Sequence, residues 1–137
     1  MFNSDRGNSQ QLYVMNSDGS NDPKRISYGS GKYATPVWSP TGEWIAFTRI
    51  AGGDFSIGIM RPDGADQRIL ATGFLVEGPT WSPNGRMLMY YKQQPSSTGN
   101  EAGLTALHQV NLFDFQESRV PTPADGSDPS WSPLLPR

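Results

Sequence analysis

The 137-residue sequence contains no cysteine, so no disulfide staples it and no thiolate reacts for it. Its imidazole supply is His108 alone. A metal cage or a Ser-His-Asp relay built on that ring would need partners drawn from distant parts of the chain. Charged residues make up 18% of the sequence and the net charge is −2, which gives no general pull toward nucleic acid or an anionic membrane surface. No run of like charges is long enough to act as a tail. No stretch of about 18 apolar residues is present, so no membrane-spanning helix is expected. Met1 to Gly7 has neither a basic n-region nor an apolar h-region, so no export signal is expected there. Apolar positions never recur at helical spacing over a long window; they alternate or cluster in short runs.

What the sequence has is turn chemistry, with 15 Gly and 12 Pro. These residues punctuate a repeat. Pro36-Val37-Trp38-Ser39-Pro40-Thr41-Gly42 nearly recurs as Pro79-Thr80-Trp81-Ser82-Pro83-Asn84-Gly85, and Pro129-Ser130-Trp131-Ser132-Pro133 opens a third copy. An apolar run follows each of the first two, Trp44 to Thr48 and Met87 to Tyr91. The three tryptophans lie 43 and 50 residues apart. A period of about 40–45 residues built from short strands and Gly/Pro turns belongs to a four-stranded propeller blade.

The expected fold is therefore all-β, a partial β-propeller of about three blades from a six-bladed ring. The expected units are a blade remnant at 1–28, a full blade at 35–71, a second at 79–122 with a surface insertion at 93–105, and a terminal closing strand at 128–132. Asp18-Gly19 and Asp63-Gly64 fall at the same place in successive units, where Gly permits a reversal. Asp114-Phe115-Gln116-Glu117 replaces that turn in the third unit. Trp38, Trp81 and Trp131 are expected to be buried between neighbouring blades. Met1-Phe2 reads as the end of a second strand, so the sequence starts in mid-blade. An open arc exposes strand edges, so the chain is expected to be a piece of a longer product, or to self-associate so that two copies close one ring.

Three suggestive patterns dissolve on inspection. Asn16 to Asp22 alternates oxygen ligands as a calcium loop does, but Ser27 stands where the bidentate Glu is required. Gly29-Ser30-Gly31-Lys32 has Ile26 and Tyr33 where a phosphate loop needs Gly and Ser/Thr, and no helix follows. His108 reads as an outward-facing strand residue, and Glu43, Glu77, Glu101 and Glu117 are isolated rather than paired. No catalytic, cofactor-binding or metal-binding residue is assigned, and no enzyme is expected. Surface remains. The loops entering each Trp-Ser-Pro strand, Gly29 to Thr35, Gly73 to Gly78 and Ala124 to Asp128, converge on one end of a propeller channel. Phe74-Leu75-Val76 within the second is either a channel plug or an apolar anchor for a partner.

Leu12 to Asn21, both Pro-x-Trp-Ser-Pro-x-Gly segments, Phe74-Leu75-Val76-Glu77-Gly78-Pro79, and the ending from Arg119-Val120-Pro121 to Pro133 resemble the C-terminal half of the TolB family, its alphaproteobacterial branch in particular. The resemblance spans the chain except the insertion. It implies a periplasmic six-bladed propeller behind an N-terminal α/β domain, acting in the Tol–Pal envelope system in outer-membrane integrity and cell division. It implies binding of the lipoprotein Pal through the propeller and coupling to TolA through the N-terminal region, with no nucleic acid involved. The channel-end positions matching the lipoprotein interface are Lys32, Tyr33, Phe74, Val76, Glu77 and Asp128, with Tyr33 and Phe74 as apolar anchors and the charged groups as a complementary rim. Two other classes use similar repeats. The propeller gate of a prolyl-oligopeptidase-like serine peptidase would need a Gly-x-Ser-x-Gly elbow, which this sequence lacks. A sugar-lactonase propeller would need a channel metal cage, which a single His108 does not favour.

Overall fold

The computed structural model describes residues 1–97 and 103–134. The middle of the expected insertion, residues 98–102, lies outside them. The described residues form eleven strands: β1 (Phe2–Ser4), β2 (Gln11–Val14), β3 (Lys24–Arg25), β4 (Lys32–Trp38), β5 (Ile45–Ala51), β6 (Asp54–Met60), β7 (Arg68–Gly73), β8 (Leu75–Trp81), β9 (Met87–Gln93), β10 (Thr105–Asn111) and β11 (Glu117–Val120). They form three antiparallel sheets: β1-β2-β3, β4-β5-β6-β7 and β8-β9-β10-β11. No helix occurs among the described residues. Each sheet packs its face on the next, as successive blades do.

The packing explains why the strand after each Trp-Ser-Pro turn is a continuous apolar run. Side chains alternate faces along a strand. In β5, Ile45 and Phe47 join Leu12, Ile26, Tyr33 and Met60 in the core between the first and second sheets. Ala46 faces the other way, with Ile57, Ile59, Val76, Trp81, Leu88, Tyr90 and Val110 between the second and third sheets. A strand buried on both faces has no polar side to show. Burying one such ring as Phe47 contributes roughly 1.5–3 kcal/mol.

The hydrogen bonds of the Trp-Ser-Pro-x-Gly turn account for its composition. The Ser39 hydroxyl accepts from Trp44 N at 3.1 Å and the Ser82 hydroxyl accepts from Met87 N at 3.0 Å. The Ser39 and Ser82 carbonyls accept from Gly42 N and Gly85 N at 3.0 and 2.8 Å. Gly42 and Gly85 have φ of 74° and 70°, a conformation that glycine adopts without steric penalty. Pro40 and Pro83 pre-set φ at the turn's first corner. One residue earlier than each motif lies a second shared feature. Thr35, Gly78 and Asp128, each directly before the motif proline, have φ of 47°, 69° and 49°. Residues before proline ordinarily take extended backbone, so this kink belongs to the motif. In β4 and β8 it coincides with register shifts at Ala34/Val37 and Glu77/Thr80.

The structure corrects several expectations. β4 begins at Lys32 and β8 at Leu75, so most of the two expected loops is strand. The bulge lets the ladder continue past the proline, pairing Tyr33 with Arg49 and Glu77 with Tyr91. β3 is shorter than Lys24 to Tyr28 because the Ser27 hydroxyl takes the next ladder place, accepting from Leu12 N at 2.9 Å. The expected closing strand at 128–132 forms no ladder. Burial of the three tryptophans also differs. Trp81 is 6% exposed and Trp38 is 41% exposed. Trp81 lies against the inner strand of the sheet before it, donating from Nε1 to the Val37 carbonyl at 3.1 Å. The sheet before Trp38 has no such strand among the described residues, so its indole stays uncovered.

Candidate partner-binding rim

The inner strands β4 and β8 and the segment after β11 all begin at the same end of the sheets, and four of the six expected partner-binding residues reach solvent there. Lys32 is exposed at the start of β4. Phe74 alone joins β7 to β8, and a one-residue connection leaves its ring no room to fold back; it is 56% exposed. Glu77 is half-buried and accepts from the Tyr91 hydroxyl at 3.2 Å. Asp128 is exposed, and its charge acts on the same tyrosine. Burial first, then the Glu77 and Asp128 carboxylates, push the Tyr91 hydroxyl above its ordinary range. Glu77 and Asp128 thus both bear on Tyr91 at the end of the sheets where Phe74 is exposed, with the Lys32 cation at the start of the neighbouring sheet's inner strand.

The other two residues do not reach the surface. Tyr33 is fully buried, its ring 5.2 Å from that of Phe47 and its hydroxyl accepting from Gln67 Nε2 at 2.9 Å. Val76 is fully buried between the second and third sheets. Alternation explains both: each sits one residue after an outward-facing position at a strand start, so its side chain turns into the core.

His108 is also not the outward-facing residue expected. It stacks on Tyr90 with ring centroids 6.4 Å apart, and its Nδ1 lies 3.4 Å from Glu117 Oε1. The Tyr90 hydroxyl donates to the same oxygen at 2.8 Å, and Lys92 Nζ pairs with it. Burial alone would raise the Glu117 carboxyl, but hydrogen bonds from Lys92 and Tyr90 outweigh it and the net shift is downward. Burial, then Glu117, push the Tyr90 hydroxyl up. Burial and the Lys92 charge hold the His108 ring below its ordinary value despite Glu117. The cluster ties β9, β10 and β11 together around a neutral imidazole. Among the described residues, no three His, Cys, Asp or Glu side chains come together to hold a metal ion.

The opposite end of the sheets carries aromatic surface that motif reading passed over. Arg61 lies 3.8 Å over the Trp44 ring and Arg68 lies 4.1 Å over Phe115. An open cleft of about 690 Å³ runs between Glu43, Trp44, Arg86, Asn111 and Phe113, and Phe113 is 94% exposed. Phe115 has φ of 56° in the place where Gly19 and Gly64 reverse the chain in the other two sheets. The replaced Asp-Gly turn was the available signal: a bulky residue there takes a strained backbone.

Fold and rim together define a β-propeller segment whose inner-strand ends face solvent. The chain belongs to the TolB β-propeller family: the TolB beta propeller domain matches residues 1–135. The Tol-Pal system protein TolB of Gluconobacter oxydans is 49% identical over 107 residues, 78% of this chain and 24% of that protein. The protein of the same name from Wolbachia sp. subsp. Drosophila simulans is 46% identical over 124 residues, 90% of this chain and 28% of its own length. The chain therefore spans about a quarter of the curated relatives it matches. A solved putative TolB from Agrobacterium tumefaciens superposes with a TM-score of 0.71 at 21% identity, over 93% of this chain and 48% of that one. That likeness establishes the fold.

Proposed function

We propose that this chain is a non-enzymatic, protein-binding propeller segment of a periplasmic Tol-Pal system protein, and that it contributes to binding the lipoprotein Pal and so to outer-membrane integrity and cell division. The observation that carries the reading is the Phe74 ring, 56% exposed on a one-residue connection at the end of the sheets where Lys32, Glu77 and Asp128 also reach solvent. An apolar anchor inside a polar rim is the arrangement that protein interfaces use for most of their binding energy. The names of the relatives support the same reading. Isothermal titration of purified Pal into the full-length protein tests it. Phe74→Ala is expected to weaken binding by roughly tenfold or more, as loss of an anchor does, and Glu77→Lys to weaken it further by reversing the rim charge. Unchanged affinity in both variants, with unchanged circular dichroism, would remove the assignment.

A further inference from the structure

Asn84 is the one asparagine in the sequence that precedes a glycine, and it occupies the variable place of the second Trp-Ser-Pro-x-Gly turn. The turn gathers two donors around the oxygen that this residue carries. In the first turn the oxygen is a hydroxyl: Thr41 Oγ1 lies 3.2 Å from Ser39 Oγ and accepts from Glu43 N at 3.4 Å. In the second it is a carboxamide carbonyl: Asn84 Oδ1 accepts from Ser82 Oγ at 2.8 Å and from Arg86 N at 3.0 Å. The Ser82 oxygen itself accepts from Met87 N at 3.0 Å, which leaves its own proton to Asn84. A hydroxyl on a tetrahedral carbon is inert to attack, whereas a carbonyl carbon is an electrophile. The bond from Arg86 N also bends the side chain back over the Gly85 amide, as an Asx-turn does. Asn84 is exposed, and its Nδ2 makes no hydrogen bond among the described residues. Gly85, with φ of 70°, has no side chain to shield its nitrogen.

We propose that Asn84 is a site of spontaneous deamidation: the Gly85 nitrogen attacks Asn84 Cγ, and the turn converts itself to an aspartyl or isoaspartyl linkage. Attack forms a five-membered succinimide ring. The Gly85 proton passes to water, Nδ2 takes up a proton, and the Cγ–Nδ2 bond breaks to release ammonia. Water then adds to one of the two ring carbonyls. Opening at Cγ leaves aspartate, and opening at the main-chain carbonyl leaves isoaspartate. The net change is one water in and one ammonia out, with no oxidation or reduction. Negative charge develops on Oδ1 during the attack, where the Ser82 hydroxyl and the Arg86 N–H already donate. A preset donor of this kind is worth roughly 100- to 1000-fold in a closed enzyme site, and roughly tenfold is expected on an exposed turn where water competes. One contact opposes the step: Gly85 N donates to the Ser82 carbonyl at 2.8 Å. Giving up one net hydrogen bond costs about fivefold in rate, so the two donors prevail. An aspartate keeps a carboxylate oxygen for both of them. An isoaspartate adds a backbone carbon between Ser82 and Met87 and pulls apart the turn that joins β8 to β9.

Peptide mapping by mass spectrometry after incubation at neutral pH tests the proposal, with parallel samples in buffer and in concentrated urea. In buffer, Asn84 is expected to convert roughly tenfold or more faster than any other asparagine, and faster than it does in urea, where the turn is lost. Ser82→Ala is expected to slow conversion roughly tenfold in buffer and to change nothing in urea. Ser82→Thr returns the hydroxyl and is expected to return the rate. Asn84→Thr, which copies Thr41, is expected to give no product at this place. Far-UV circular dichroism reports whether each variant is folded; should Ser82→Ala unfold, Ser82→Thr and the comparison of buffer with urea decide. Conversion in urea as fast as in buffer, or faster, would overturn the proposal, because the turn would then shield the amide. So would an unchanged or faster rate in folded Ser82→Ala, or equal conversion at another asparagine.

Discussion

Trp81→Phe is the substitution that the packing makes most informative. The indole is 6% exposed between the second and third sheets, and its Nε1 donates to the Val37 carbonyl at 3.1 Å. Phenylalanine keeps a ring in the site but has no donor. The lost hydrogen bond is worth roughly 1 kcal/mol net, and a carbonyl left without a donor in a dry site adds to that. The smaller ring buries about 40 Å² less apolar surface, a further ~1 kcal/mol. The expected destabilisation is therefore roughly 2–3 kcal/mol, a fall in melting temperature on the order of 5–10 °C for a chain of this size. Urea unfolding followed by far-UV circular dichroism measures it without relying on the indole that has been changed. The midpoint is expected to fall with little change in the slope. A loss under about 0.5 kcal/mol would refute the claim that this indole ties one sheet to the next.

Gly58→Ala tests the close approach of β5 and β6: an added Cβ would sit 2.5 Å from Phe47 Cζ and 2.9 Å from the Arg68 carbonyl oxygen. A loss of roughly 1–3 kcal/mol is expected, and a neutral result in the same unfolding assay would contradict the described packing. The Tyr90–Lys92–His108–Glu117 cluster sets a sign for pH dependence. Both His108 and Glu117 are shifted downward in the folded chain, so the unfolded chain binds more protons in each titration range and stability falls with acid. The His108 contribution is fully present above about pH 6.5 and is lost below it; that of Glu117 is present above its ordinary carboxylate value and is lost as pH falls through the folded one. Urea midpoints at descending pH should therefore decline, with Glu117→Gln flattening the lower limb; a midpoint that rises on acidification would contradict the cluster.

The repeat was legible because its chemistry is local. Trp-Ser-Pro-x-Gly encodes a turn through the Ser39 and Ser82 hydroxyls and the left-handed Gly42 and Gly85. The apolar runs after it encode strands buried on both faces, and together these gave the all-β propeller reading. What escaped depends on neighbours. Nothing in the motif distinguishes Trp38 from Trp81; the difference lies in whether the preceding sheet supplies an inner strand. Tyr33 and Phe74 both looked like anchors in loops, but Tyr33 sits in a ladder that a bulge extends past Thr35, and alternation turns it inward. Phe74 stayed outside because the connection there is a single residue. The His108 cluster joins side chains from three strands, and only the pairing of β9, β10 and β11 brings them together.

Indole hydrogen exchange measures the central claim, that one motif meets different environments according to the sheet before it. In the 137-residue chain, the Nε1 proton of Trp81 is predicted to exchange with solvent at least tenfold more slowly than that of Trp38. Equal exchange at the two indoles, or faster exchange at Trp81, would contradict the packing of successive sheets on which the whole account rests.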